Sequence, residues 1–163
     1  MKATIRYFIL LGTVLTSCSI FAQNAEFVKG KGYAGYIFPK EHPIFGFSPE
    51  QNRYTPSFED ISQAEKILQD SIGTEYIKSN QKAYCKPLIN KNTLKKYVRQ
   101  YVGYLTDKNE IVIWLNLFKK GSIESQNPAL DIISVQDGGI EFWRIRINIT
   151  SKELFDMQVN GKG

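Results

Sequence analysis

Apolar positions along this chain change their spacing once, from a helical period in the first half to a two-residue period in the second. Ile61, Ala64, Leu68 and Ile72 recur at steps of three and four, and Ile67 widens the stripe, which predicts an amphipathic helix with one face to be covered. Its start is marked by Ser57, which can cap it, and by Asp60, which can bond back three residues later in a capping box. Glu59 and Asp60 lie where the helix dipole favours negative charge, and Pro56 precedes them without costing an intrahelical bond. The mixed polar stretch from Ser71 to Leu94, with Gly73 and Pro87, predicts a connection holding one short extra turn or helix around Thr74 to Ser79.

Beyond it, Tyr97 to Leu105 and Glu110 to Phe118 read as two strands joined by a turn at Thr106-Asp107-Lys108-Asn109. In the second strand Ile111, Ile113, Leu115 and Leu117 point one way and Val112, Trp114, Asn116 and Phe118 the other, so both faces are covered and the strand is central. A polar loop from Lys119 to Pro128 leads to a further strand, Leu130 to Val135. Asp137-Gly138-Gly139 then supplies the positive φ that a tight turn needs. Ile140 to Ile149 sets Trp143, Ile145, Ile147 and Ile149 against a more polar side of Phe142, Arg144, Arg146 and Asn148. In the last segment, Leu154 to Asn160, Phe155, Met157 and Val159 alternate with Asp156, Gln158 and Asn160. Together these elements predict an α+β fold, one main amphipathic helix packed on an antiparallel meander of about four to five strands, cystatin-like in outline.

Three regions precede or make up this unit. Residues 1–22 read as a signal peptide: Lys2 and Arg6 form a basic start, Tyr7 to Leu15 an uncharged apolar run, and no acid occurs before Glu26. The run is shorter than the roughly 20 residues a membrane span needs. Two processing readings stay open. Leu15-Thr16-Ser17-Cys18 resembles a lipobox that would lipidate Cys18 and tether the domain to a membrane, whereas Ile20-Phe21-Ala22 suits a cut that starts the mature chain at Gln23. Residues 23–53, rich in Gly, Pro and aromatics, are expected to form an extended arm packed in part across the domain, with an exposed aromatic binding strip as the alternative, and residues 54–163 a single α+β domain.

Composition narrows the function classes. The 163 residues carry a formal net charge of +5, which falls by two to +3 once Lys2 and Arg6 leave with the leader. That is too little charge to predict nucleic-acid binding without a clustered surface. Cys85 would be the only thiol of the mature chain, so no intramolecular disulfide is available, and an inert buried thiol is the default.

Several short stretches carry a resemblance. They are Arg53-Tyr54-Thr55-Pro56-Ser57, Ala64-Glu65-Lys66-Ile67-Leu68, Arg99-Gln100-Tyr101-Val102-Gly103-Tyr104, Val112 to Asn116, Gln136-Asp137-Gly138-Gly139 and the closing Val159-Asn160-Gly161. Over residues 53–161 the chain resembles small exported proteins and lipoproteins of the Bacteroidota, a group to which no activity is assigned. The resemblance implies export, to periplasm or extracellular space or to a membrane through Cys18, and an α+β fold. It implies no particular chemistry.

A search for chemistry along the chain is mostly negative. His42, the only histidine, sits in the loop-like Lys40-Glu41-His42-Pro43, and nothing in its spacing from Cys85 suggests a thiol-imidazole pair. Glu59 and Asp60 are explained by capping, and Asp107 and Glu110 by a hairpin turn. The glycines of Gly30 to Gly35 lack the Lys-Ser/Thr ending and the helix of a phosphate loop. Lys91, Lys95, Lys96, Arg99, Lys119 and Lys120 read as solvated charge, with a docking patch as the alternative. No catalytic, metal or cofactor site is predicted. The surface singled out is the side of Phe142, Arg144, Arg146 and Asn148, because arginines and aromatics together mark binding hot spots, with pairing of an arginine to Asp156 as the plainer alternative. The expectation is a non-catalytic binding or adaptor module working with an envelope protein. An envelope inhibitor or immunity protein and a hydrolase-type enzyme using Cys85 or a carboxylate are the alternatives. Membrane contact is expected only through a lipid on Cys18.

Overall fold

A computed structural model describes residues 24–44, 52–81, 89–123 and 125–161. The leader with its cleavage sites, Cys18 and the inert thiol expected at Cys85 lie outside the described residues.

The capping box forms as read. Ser57 Oγ accepts from the Asp60 amide at 3.2 Å, and the Asp60 carboxylate accepts from the Ser57 amide at 2.8 Å, starting α1 (Phe58–Ser71). Ile61, Ala64 and Leu68 are buried along its inner stripe, with Ile67 and Ile72 partly so. Two short helices follow, α2 (Glu75–Asn80) and α3 (Lys91–Leu94).

The sheet is wider than the meander predicted. The glycine- and aromatic-rich arm contributes β1 (Glu26–Gly30), β2 (Tyr33–Phe38) and β3 (Asn52–Tyr54), ahead of β4 (Tyr97–Leu105), β5 (Ile111–Lys119), β6 (Phe142–Asn148) and β7 (Glu153–Val159). The strand order is β1-β2-β4-β5-β6-β7, and β3 pairs with the remaining length of β4. The strands β4 to β7 are the antiparallel meander expected, but β2 joins β4 in parallel, so the sheet is mixed and seven-stranded. One edge of β4 is shared, with Gly35 to Phe38 along its first half and Asn52 to Tyr54 along its second. Gly35 makes the parallel pairing feasible, since a Cβ there would fall 2.3 Å from the Arg99 carbonyl oxygen. Arg53 holds the chain between β2 and β3, donating to the Pro39 carbonyl at 3.2 Å.

The predicted alternation decides the two faces. Tyr101, Ile113, Leu115, Leu117, Trp143, Ile145 and Ile147 pack under α1, all nearly or fully buried. Phe38, Val102, Tyr104, Val112 and Trp114 form a smaller cluster on the opposite face, with Phe118 and Phe142 beside it. The strand expected at Leu130 to Val135 does not form. This segment is irregular and lies over the second face, because its backbone is bonded to side chains of the sheet and not to a neighbouring strand. Gln100 Nε2 donates to the carbonyls of Pro128 and Asp131, Gln100 Oε1 accepts from the Ile133 amide at 2.9 Å, and Asn116 Nδ2 donates to the Ile133 carbonyl at 2.8 Å.

The Gly138 and Gly139 positions do take positive φ, 102° and 55°, but lead into a short 3-10 turn, Gly139–Glu141, rather than a two-residue hairpin. The final strand also departs from simple alternation. Asp156 has φ 50° and the register with β6 shifts there, so Leu154, Met157 and Val159 reach the core under α1 while Phe155 stays partly exposed.

Arg99, expected as solvated charge, is fully buried. Its guanidinium forms a two-point pair with Glu65 of α1, Nε to Oε1 at 3.0 Å and Nη2 to Oε2 at 3.3 Å, and also bonds the carbonyls of Tyr97 and Gly32. Tyr101 donates to Glu65 Oε1 at 2.9 Å. Burial first, and then the Glu65 charge, push the Tyr101 phenol well above its ordinary value, with Arg99 opposing. The cluster is sealed and cross-links α1, β4 and the β1–β2 turn.

Candidate functional site

The second face of the sheet is only partly covered. Between the irregular segment and the strands β6 and β7 runs a groove of about 470 Å³. Its floor is Trp114, Asn116 and Phe142. Ile132 to Val135 form one wall, Arg144, Arg146, Asp156 and Gln158 the other, and Ile44 lies at the rim. The period-two pattern of β6 puts Arg144 and Arg146 there, and the bulge at Asp156 aligns β7 so that Asp156 and Gln158 face them.

The two arginines differ in their engagement. Arg146 Nε lies 3.4 Å from Asp156 Oδ2, and its guanidinium carbon is 5.9 Å from the centre of the Tyr104 ring. The pair is partly exposed, and Nε has no hydrogen bond of good geometry among the described residues. Burial raises the Tyr104 phenol pKa, Arg146 acts against this, and Asp156 adds to it. Arg144 is exposed and has no acid partner among the described residues. It donates to Gln158 Oε1, Nε at 3.0 Å and Nη2 more closely, and Gln158 in turn donates to Asp156 at 2.6 Å. This relay holds the Arg144 fork in place without neutralising it.

Three of the four residues singled out in the sequence therefore share the groove. Asn148 does not. It is buried at the far end of β6, where Oδ1 accepts from the amides of Thr150 and Ser151 and Nδ2 donates to Glu110, so it shapes the β6–β7 turn. The pairing of an arginine with Asp156 is present for Arg146 alone. Sequence reading missed Asn116 and Gln100, whose polar side chains interrupt apolar strands and pin the groove's wall. That interruption was the available signal. It also missed Asn160, which donates to the Val135 and Asp137 carbonyls and fixes the wall's other end.

His42 packs edge-on against Phe38, with ring centres 4.8 Å apart, and its carbonyl accepts from Arg53. It serves the β2–β3 connection. The groove's carboxylates are engaged: Asp156 with Arg146 and Gln158, and Asp131 through Oδ1 with the Ile132 amide. What the groove offers is a fixed guanidinium, side-chain amides and two aromatic floor residues, which suits recognition of a carboxylate- or carbonyl-bearing chain. Among the described residues, no group of three His, Cys, Asp or Glu is placed to hold a metal ion, and no helix is long and apolar enough to cross a membrane. Compared with family models, with curated proteins and with solved structures, the chain matches none.

Proposed function

We propose that this chain is an exported, non-catalytic binding module of the cell envelope, related to small exported proteins and lipoproteins of the Bacteroidota. Its groove over β6 and β7 takes an extended segment of an envelope protein. The observation that carries this reading is Arg144, a guanidinium oriented by Gln158 at the open side of a groove, with its charge uncompensated. Arginines set beside aromatic residues in a partly desolvated groove are where binding energy concentrates. An acidic side chain or chain-terminal carboxylate would complete the fork through two parallel hydrogen bonds. The helix laid across β4 to β7 is the cystatin-like part of the outline, and the outline by itself says nothing of activity. Export rests on the leader, which ends either at Ser17, leaving Cys18 as a lipidated first residue, or at Ala22 without a lipid.

The test is capture of the C-terminally tagged chain from its native envelope, with the mass of the captured chain read intact. A stoichiometric partner held by the native chain and by Arg144→Lys to a lesser degree, but lost in Arg144→Glu, supports the reading. A partner retained by Arg144→Glu refutes the groove as its seat. The intact mass separates an acylated Cys18 from a start at Gln23.

A further inference from the structure

The fold gathers at one end of the sheet lysines that lie far apart in the chain. The strand β2 runs parallel to β4 with Gly35 opposite Arg99, so the β1–β2 turn at Lys31 and Gly32 stands level with Lys95 and Lys96, just before β4 begins. Contact at this level is close: the Lys95 side chain lies within 4 Å of the place a Gly32 Cβ would occupy. The strand β5 ends beside them, with Lys119 opposite Tyr97 and the Lys120 amide donating to the Lys96 carbonyl at 2.9 Å. Lys31, Lys95, Lys96 and Lys120 are exposed and form no ion pair among the described residues, and Lys29 and Lys91 flank them in the same condition. Among the described residues three acids lie at this end, one of them the exposed Asp137 in the loop before the 3-10 turn. Glu141 is 2.6 Å from Lys119, and Asp70 is paired with Lys66 and feels Lys91. The six lysines of this end that form no ion pair exceed by themselves the formal net charge of +5 of the whole chain, so the remaining residues sum to −1.

We infer that this end docks on an anionic lipid surface. The chemistry of the patch selects that partner. The charges are all lysines, compact and strongly hydrated, with none of the planar forks that read single carboxylates or phosphates in two-point fashion. No lysine of the patch lines the groove, and the large exposed apolar residues, Phe27, Phe58, Leu130 and Phe155, are not in the turns of this end. Among the described residues the patch has no large exposed apolar anchor, which leaves no hot spot for a protein partner, and no exposed ring, which leaves no stacking platform for single-stranded nucleic acid. Diffuse attraction to a headgroup layer needs neither, and each lysine near such a layer strengthens binding about fivefold. The groove is left free for its own ligand.

The experiment is co-sedimentation of the purified chain with phosphatidylcholine vesicles, with and without phosphatidylglycerol. Lys95→Glu/Lys96→Glu/Lys120→Glu and the matching triple Lys→Arg variant are run alongside. Any contribution from residues 1–22, whose Lys2 and Arg6 also favour anionic vesicles, is common to all three proteins, so the difference between the variants reads the patch. The inference expects binding to the anionic vesicles only, lost more than tenfold in the Glu variant, kept in the Arg variant, and weakened by salt. Inorganic phosphate should displace the protein no better than chloride of equal ionic strength, which separates a lipid layer from a phosphate site. A far-UV spectrum shared by the three proteins shows that the variants fold. Equal binding to neutral vesicles, unchanged binding by the Glu variant, or preference for an oligonucleotide over anionic vesicles at the same salt would overturn it.

Discussion

The two faces of the central sheet are built from alternate residues of the same strands, yet they have different fates. Under α1 the face closes completely. Leu115, Ile145 and Ile147 have no exposure, and the charged groups admitted there, Glu65 and Arg99, satisfy each other and nearby backbone. On the opposite face the cover is an irregular segment held by the amide side chains of Gln100, Asn116 and Asn160, and beside it Arg144 and Gln158 stay in contact with solvent. The helix face carries most of the stability, whereas the groove face also carries, in Arg144 and Gln158, polar groups that stability does not require.

The sharpest way to break this division is on the closed face. Arg99→Met leaves Glu65 buried without its cation and is expected to cost about 3–5 kcal/mol, read by urea unfolding. Adding Glu65→Leu should return much of that loss, because the desolvation penalty leaves with the charge. On the other face Gln100→Leu removes the clamp on the Pro128 and Asp131 carbonyls and the Ile133 amide. About 1–3 kcal/mol is expected, concentrated in faster hydrogen exchange and proteolysis of residues 127–135 while the core under α1 stays protected.

A smaller effect is expected at the helix start. Burial works against the Asp60 charge, but hydrogen bonds from Ser57 and Tyr54 outweigh it and hold the carboxyl below its usual value. A depressed folded-state pKa adds stability that is present above the unfolded carboxylate range and lost as pH falls through the folded value. Asp60→Asn should therefore lower stability by about 1 kcal/mol near neutrality and flatten the acid limb of a stability profile. The smallest effect on folding is expected at the groove. Arg144→Glu should shift unfolding by no more than about 0.5 kcal/mol, since the side chain is exposed and tied only to Gln158.

Local features are legible in the sequence. The Ser57–Asp60 box spans four residues, and the β4–β5 hairpin announces itself by period and turn, so both appear where the chain predicts them. The alternation of β6 likewise places Phe142, Arg144 and Arg146 on one side. Long-range pairing is not legible. Glu65 and Arg99 are separated by 34 residues, and nothing local distinguishes an arginine close to lysines from solvated charge. The parallel joining of β2 to β4 depends on Gly35 meeting the Arg99 carbonyl, and the lysine end follows from that joining. Leu130, Ile132, Ile133 and Val135 read as a strand because their apolar content matches one. The backbone of this segment is held instead by side chains: Gln100 and Asn116 bond Ile133, Gln100 also bonds the Asp131 carbonyl, and Asn160 bonds the Val135 carbonyl. The β7 bulge at Asp156 moves Phe155 off the face that alternation assigns, which no period can show.

The central claim is that recognition belongs to the groove face. A photo-crosslinking residue placed at Ser134 on the groove's wall, and separately at Ser62 on the exposed side of α1, tests it most directly in cells making the full chain. Neither position disturbs the bonds that orient Arg144. The account predicts a discrete adduct from Ser134, abolished when Arg144→Glu is added, and none from Ser62. Adducts from Ser62 alone, or adducts from Ser134 indifferent to Arg144→Glu, would contradict it.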